Sequence, residues 1–119
     1  LFRLGSFADI NKCVSFPDQN PGPQVHGLIV EQILGMGCVS ATSSGYDSVV
    51  ILYNATKSAR SFSLASFVGV MPGTGSGQVS LHPVQLVSTD TTLKSASFTA
   101  ASGTFTVPAR TTAVFVRYH

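Results

Sequence analysis

Proton-transfer or nucleophilic chemistry needs carboxylates, histidines or activated nucleophiles held close together. The acids here are Asp9, Asp18, Glu31, Asp47 and Asp90. Asp9, Asp18, Asp47 and Asp90 fall in stretches that read as turns or caps, where a short carboxylate bonds local backbone N–H groups. Glu31, the sole glutamate, reads as a solvent-facing residue at a strand end. None of this marks the carboxylate pair that flanks a glycosidic bond. His26, His82 and His119 are far apart, and Cys13 and Cys38 form no Cys-x-x-Cys, so no metal site is indicated. His82 beside Pro83 reads as a turn or edge residue. Gly75-Ser76-Gly77 is a flexible segment rather than a serine elbow. The Gly-rich Pro72–Gln78 lacks the lysine and the following helix of a phosphate loop. No catalytic, metal or cofactor-binding residue is therefore expected on this chain.

Two weaker signals remain. Asn54-Ala55-Thr56 fits the glycosylation acceptor pattern, although Asn54 reads first as the residue that ends a strand. Sugar-binding sandwiches use exposed aromatic platforms, and the chain has no Trp. Of its tyrosines, Tyr53 is expected in the core. Tyr46, on the loop before the strongest strand, is the candidate carbohydrate contact.

These residues must be positioned by a domain whose centre is Ser48-Val49-Val50-Ile51-Leu52-Tyr53-Asn54. The run is short, rich in β-branched residues, and bounded by Asp47 and by Asn54–Ser58, so it reads as a strand. Val49, Ile51 and Tyr53 share one face, Val50 and Leu52 the other. Both faces are apolar, which predicts a central strand. Ser6, with Asp9 three residues on, predicts a capped helix of about two turns carrying Phe7, Ile10 and Val14. Pro17–Pro23 is a loop. Gly27–Ile33 predicts a strand, and Leu34–Tyr46 a loop. Further strands are expected at Arg60–Leu64, at Phe67–Val70, at Val79–Val87 broken by Pro83 near an edge, at Leu93–Thr99, at Thr104–Val107 and at Thr112–Tyr118. About eight short strands after one short N-terminal helix predict an all-β, antiparallel two-sheet β-sandwich.

Composition agrees. A chain of 119 residues predicts one domain. Only 10% of residues are charged and the net charge is +2. Arg3, Lys12, Lys57, Arg60, Lys94, Arg110 and Arg117 are scattered, which gives nucleic-acid binding no support. Mean hydropathy is +0.31, but no apolar run is long enough for a membrane helix. The sparse charge fits either a Ser/Thr-coated surface or one partly covered by another domain. Cys13 and Cys38 allow a bridge, and reduced, buried thiols are the expectation. The apolar opening Leu1-Phe2-Arg3-Leu4 reads as a cut through a longer chain, with a processed terminus as the alternative.

Several blocks, in order, then resemble one family. Leu1-Phe2-Arg3-Leu4-Gly5, Asp9-Ile10 and Val14-Ser15-Phe16 resemble the join between catalytic barrel and C-terminal domain in pullulanase-type debranching enzymes. Pro21-Gly22 and Gly27-Leu28-Ile29-Val30 resemble that domain's early strand. Tyr46–Thr56 resembles its central strand and Asn-Ala-Thr turn. Leu81-His82-Pro83-Val84-Gln85, Asp90 and Val107–Val116 resemble its later blocks. The resemblance implies a pullulanase or limit-dextrinase parent of the α-amylase superfamily, which cleaves α-1,6 branch linkages in starch, pullulan or limit dextrins. Its acid and nucleophile would lie on a preceding barrel, and no catalytic residue carries over. Residues 1–119 would form one structural C-terminal domain, with 1–14 a remnant of the junction. Leu1, Phe2 and Leu4 would face the barrel, the partner within the same parent chain. An α-glucan would be met only through that parent. A plant or algal parent would place it in a plastid, a bacterial one outside the cell. Other readings are an autonomous α-glucan-binding module and an immunoglobulin-like secreted domain.

Overall fold

The computed structural model describes residues 6–18, 24–34 and 45–119. Leu1, Phe2, Leu4 and Cys38 lie outside them, as does most of the Leu34–Tyr46 loop. The described residues form two antiparallel sheets with a few short helices, the expected all-β sandwich. One sheet has β1 (Val14–Ser15), β2 (Leu28–Leu34), β3 (Tyr46–Asn54), β8 (Thr111–Tyr118) and β5 (Val79–Leu81), in that spatial order. The other has β4 (Arg60–Ser63), β7 (Thr104–Val107) and β6 (Ser97–Thr99).

β3 is the middle strand of the larger sheet, paired with β2 along Leu28–Leu34 and with β8 along Thr111–Tyr118. Its alternation decides which core each residue joins. Val50 and Leu52 point between the sheets, with Leu28, Val30, Ala113 and Phe115 on the same side. Phe62, Phe105 and Val107 meet them from the smaller sheet. Phe105 is fully buried, 5.0 Å from Phe115 across the gap and 4.8 Å and 5.1 Å from Phe98 and Phe67. These tilted and edge-on contacts tie the two sheets together. Val49 and Ile51 face the other way and form a second cluster with Ile33 and Val116 on the outer side of the larger sheet.

Three short α-helices occur among the described residues. α1 (Phe7–Cys13) is capped by Ser6, whose Oγ accepts from the Asp9 N–H and donates to the Asp9 carboxylate. It leaves Phe7 and Ile10 largely exposed, at 77% and 46%. Cys13 at its end is buried and disulfide-bonded, not the reduced thiol expected. Burial alone is compatible with either state, which is why sequence context misled.

The remaining two helices replace predicted strand. Only Val79–Leu81 is extended; Pro83 does not break a strand but opens α2 (Pro83–Leu86), where its missing N–H costs nothing. His82 caps α2 by accepting the Val84 N–H on Nδ1. Likewise Leu93 and Lys94 belong to α3 (Thr91–Lys94), capped by Asp90, and the strand begins at Ser97. Phe67–Val70 is not a strand either: Ala65–Phe67 is a 3-10 turn that drops Phe67 into the core. Gly103 makes this turn possible. It holds φ +62°, and a Cβ there would lie 2.5 Å from the Leu64 carbonyl oxygen.

Beyond Leu81 the β8 backbone loses its strand partner, and Gln85 takes over. Its amide donates to the Thr112 carbonyl at 3.2 Å and accepts the Val114 N–H at 2.8 Å. One side-chain amide thus stands in for a peptide unit. No helix among the described residues is long and apolar enough to cross a membrane.

Candidate functional site

The outer face of the larger sheet is built in three cross-strand rows. Register sets Ile33, Val49 and Val116 side by side, then Glu31, Ile51 and Val114, then Ile29, Tyr53 and Thr112. The first row is buried. The last is open: Ile29 is 48% exposed and Tyr53 38%. Tyr53 was expected in the core because its neighbours are apolar. In the fold it shares the parity of the outer face and sits at the uncovered end. Glu31 is likewise not at a strand end. It lies mid-strand in β2, half-buried, and its carboxylate accepts the Tyr53 hydroxyl at 2.9 Å. Burial, that hydrogen bond and the nearby negative charge raise the Tyr53 phenol above its ordinary value of 10.0.

This open row borders a hollow of about 510 Å³. Ile29 and Tyr53 line its floor, and Arg110 and Thr112 also line it. Arg110 follows β7 in the left-handed region, at φ +51°, held by its N–H on the Thr56 carbonyl. Its guanidinium is exposed and makes no hydrogen bond or ion pair among the described residues.

Asn54 ends β3, as expected, and is buried. Its amide nitrogen donates to the carbonyls of Ser58 and Pro108, each at 2.9 Å, with Val107 at 3.3 Å. Its oxygen accepts from the N–H and hydroxyl of Thr56. With every polar atom engaged inward, it is a joint between the two sheets rather than a glycan acceptor.

Tyr46, the sequence candidate for carbohydrate contact, is half-buried at the opposite end of this outer face. Its ring lies 5.5 Å from Tyr118 and 5.8 Å from His82. Asp47, expected in a turn, sits in β3 beside a register irregularity and contacts His119 Nδ1 at 2.6 Å. Among the described residues no three His, Cys, Asp or Glu side chains gather at one point. The fold sets Tyr53, Glu31, Arg110 and Ile29 together, and sequence reading missed that group. The available signal was parity: Ile29, Glu31 and Tyr53 fall on one side once the β2–β3 register is fixed.

Two packed sheets, joined through the buried Asn54, define a β-sandwich domain. Comparison with known proteins says of which kind. Residues 1–118 match the family described as alpha-1,6-glucosidases, pullulanase-type, C-terminal, and the chain belongs to that family. It is 39% identical to the chloroplastic pullulanase 1 of Arabidopsis thaliana, over 98% of this chain and 12% of that protein. The PulA structure from Klebsiella oxytoca superposes over the whole chain with a TM-score of 0.77 at 26% identity, covering 10% of PulA. The maltotriose complex of PulA from Klebsiella pneumoniae gives a TM-score of 0.77 at 29% identity, covering 12% of that chain. The chain thus spans about a tenth of the length of these relatives.

Proposed function

We propose that residues 1–119 are the structural C-terminal domain of a glycoside hydrolase that cleaves α-1,6 branch linkages in starch, pullulan or limit dextrins. The domain carries no catalytic group and packs on the catalytic barrel of the same parent chain. The observation that carries this reading is a family match from end to end by a chain only a tenth as long as its relatives. The exposed Phe7 and Ile10 of α1 support it, since an apolar helix face left to water is an association surface. Leu1, Phe2 and Leu4, which lie outside the described residues, are the further residues assigned to the barrel contact. A plant or algal parent places the protein in a plastid, which the chloroplastic relative supports, and a bacterial parent places it outside the cell. The test is incubation of the purified 119-residue chain with pullulan. No maltotriose should be released, and release would overturn the reading.

A further inference from the structure

We propose that the open end of the outer sheet face, centred on the Tyr53 ring with Ile29, Glu31, Arg110 and Thr112 around it, is a surface contact site for α-glucan chains. The inference rests on the reading that the parent enzyme handles α-glucans. It goes beyond that reading by giving this domain its own glucan contact, distinct from Tyr46.

The chemistry follows from what a glucopyranose presents. Its ring faces are C–H surfaces, and its rim is hydroxyls. A recognition site therefore needs a fixed flat apolar platform edged by planar polar groups. Tyr53 supplies the platform on a β-strand, and the bond from its hydroxyl to the Glu31 carboxylate fixes the ring before any ligand arrives. Preorganisation of this kind reduces the ordering cost of binding. Ile29 widens the apolar floor as the cross-strand neighbour of Tyr53. Polar groups stand at the edge: Arg110, with its uncommitted guanidinium fork, and Thr112 line the hollow, and the Glu31 carboxylate lies beside it, bonded to the Tyr53 hydroxyl. The hollow, at about 510 Å³, falls within the range of small-molecule sites, roughly 300–1,000 Å³.

A protein partner fits these observations less well. A packed interface centre is depleted of charge, whereas here the Tyr53 hydroxyl is bonded to a carboxylate and an unpaired guanidinium lines the same hollow. The proposed barrel-facing helix is also placed elsewhere. α1 runs into β1, which pairs with Ile33 at the far end of β2 from Ile29. That separation is about 13 Å along the strand.

The experiment uses the full parent enzyme with Tyr53→Ala, Tyr53→Phe and Arg110→Ala. Migration in native gels containing amylopectin is read against hydrolysis of a small branched oligosaccharide. Tyr53→Ala and Arg110→Ala should each lose at least threefold of the amylopectin retardation, with oligosaccharide turnover unchanged. Tyr53→Phe, which keeps the ring, should retain most of it. β-Cyclodextrin should shield Tyr53 of the parent from iodination. Unchanged retardation in both the Tyr53→Ala and Arg110→Ala enzymes overturns the proposal. So does a Tyr53 already inaccessible to iodination without sugar, which would mean that protein covers the hollow. Either result leaves the structural reading standing, because that reading is decided separately by the pullulan assay on the isolated chain.

Discussion

Asn54 and Tyr53 are adjacent, yet alternation sends one inward and the other out, and each carries its own expectation. Replacing Asn54 with Ala leaves the carbonyls of Ser58, Val107 and Pro108 without their shared donor. A buried polar group left unpaired costs about 1–3 kcal/mol. Denaturant unfolding of Asn54→Ala should show a loss of at least that size. Mass spectrometry of the folded protein from a glycosylating host should find Asn54 bare. Tyr53 sets a pH expectation. Its phenol is raised above 10.0 in the folded state, so folding favours the protonated form. The associated stability is fully present below the unfolded value, about pH 10, and is lost as pH rises through the higher folded value. Between about pH 9 and 11 the wild-type protein should therefore lose more stability than Tyr53→Phe, as followed by urea midpoints. Identical slopes would show that the Tyr53–Glu31 bond contributes nothing to the alkaline limb.

At the level of elements, Gly103 is the position most constrained by backbone. It approaches the Leu64–Val68 turn so closely that a methyl group has no room, and it holds φ +62°. Gly103→Ala should destabilise by more than ~1 kcal/mol, the lower bound for a side chain forced to positive φ, and the thermal midpoint should fall accordingly. How much of the fold was legible beforehand divides along the same line. β3, β2, β4, β7 and β8 were readable because each buries at least one face, so hydrophobic period and backbone agree. The Ser6 cap was readable because Ser and Asp at that spacing act locally. The strand assigned to Phe67–Val70, the second half of the one assigned to Val79–Val87 and the first half of the one assigned to Leu93–Thr99 were misread for a common reason. Short apolar runs do not distinguish a strand from a single helical turn, and the deciding signals were His82-Pro83 and Asp90, both N-caps. The candidate glucan site was less legible still. It depends on register between strands far apart in sequence, and on a positive-φ arginine that no local pattern announces.

Across the whole molecule, the proposed packing on a parent barrel separates effects seen in the isolated chain from those seen in the enzyme. Phe7→Ser and Ile10→Ser remove apolar area that the isolated domain leaves in water. Their cost should be near zero in the 119-residue chain. In the parent it should approach the ~1.5–3 kcal/mol that burial of one large side chain contributes. Differential scanning calorimetry of both forms decides this, and an equal loss in the two would place these residues in an internal contact. The Gln85 arrangement has a consequence on the same scale. Exposed strand margins are where β-rich proteins recruit one another. Here one flank of the five-stranded sheet is a two-residue stub, β1. The other is β5, followed by a glutamine that occupies the next donor and acceptor positions. Heat damage that frees Gln85 therefore opens the β8 margin to a neighbouring chain. Gln85→Leu, which would strip that plug while leaving the interior intact, should seed thioflavin-positive fibrils sooner than the parent sequence at equal stability.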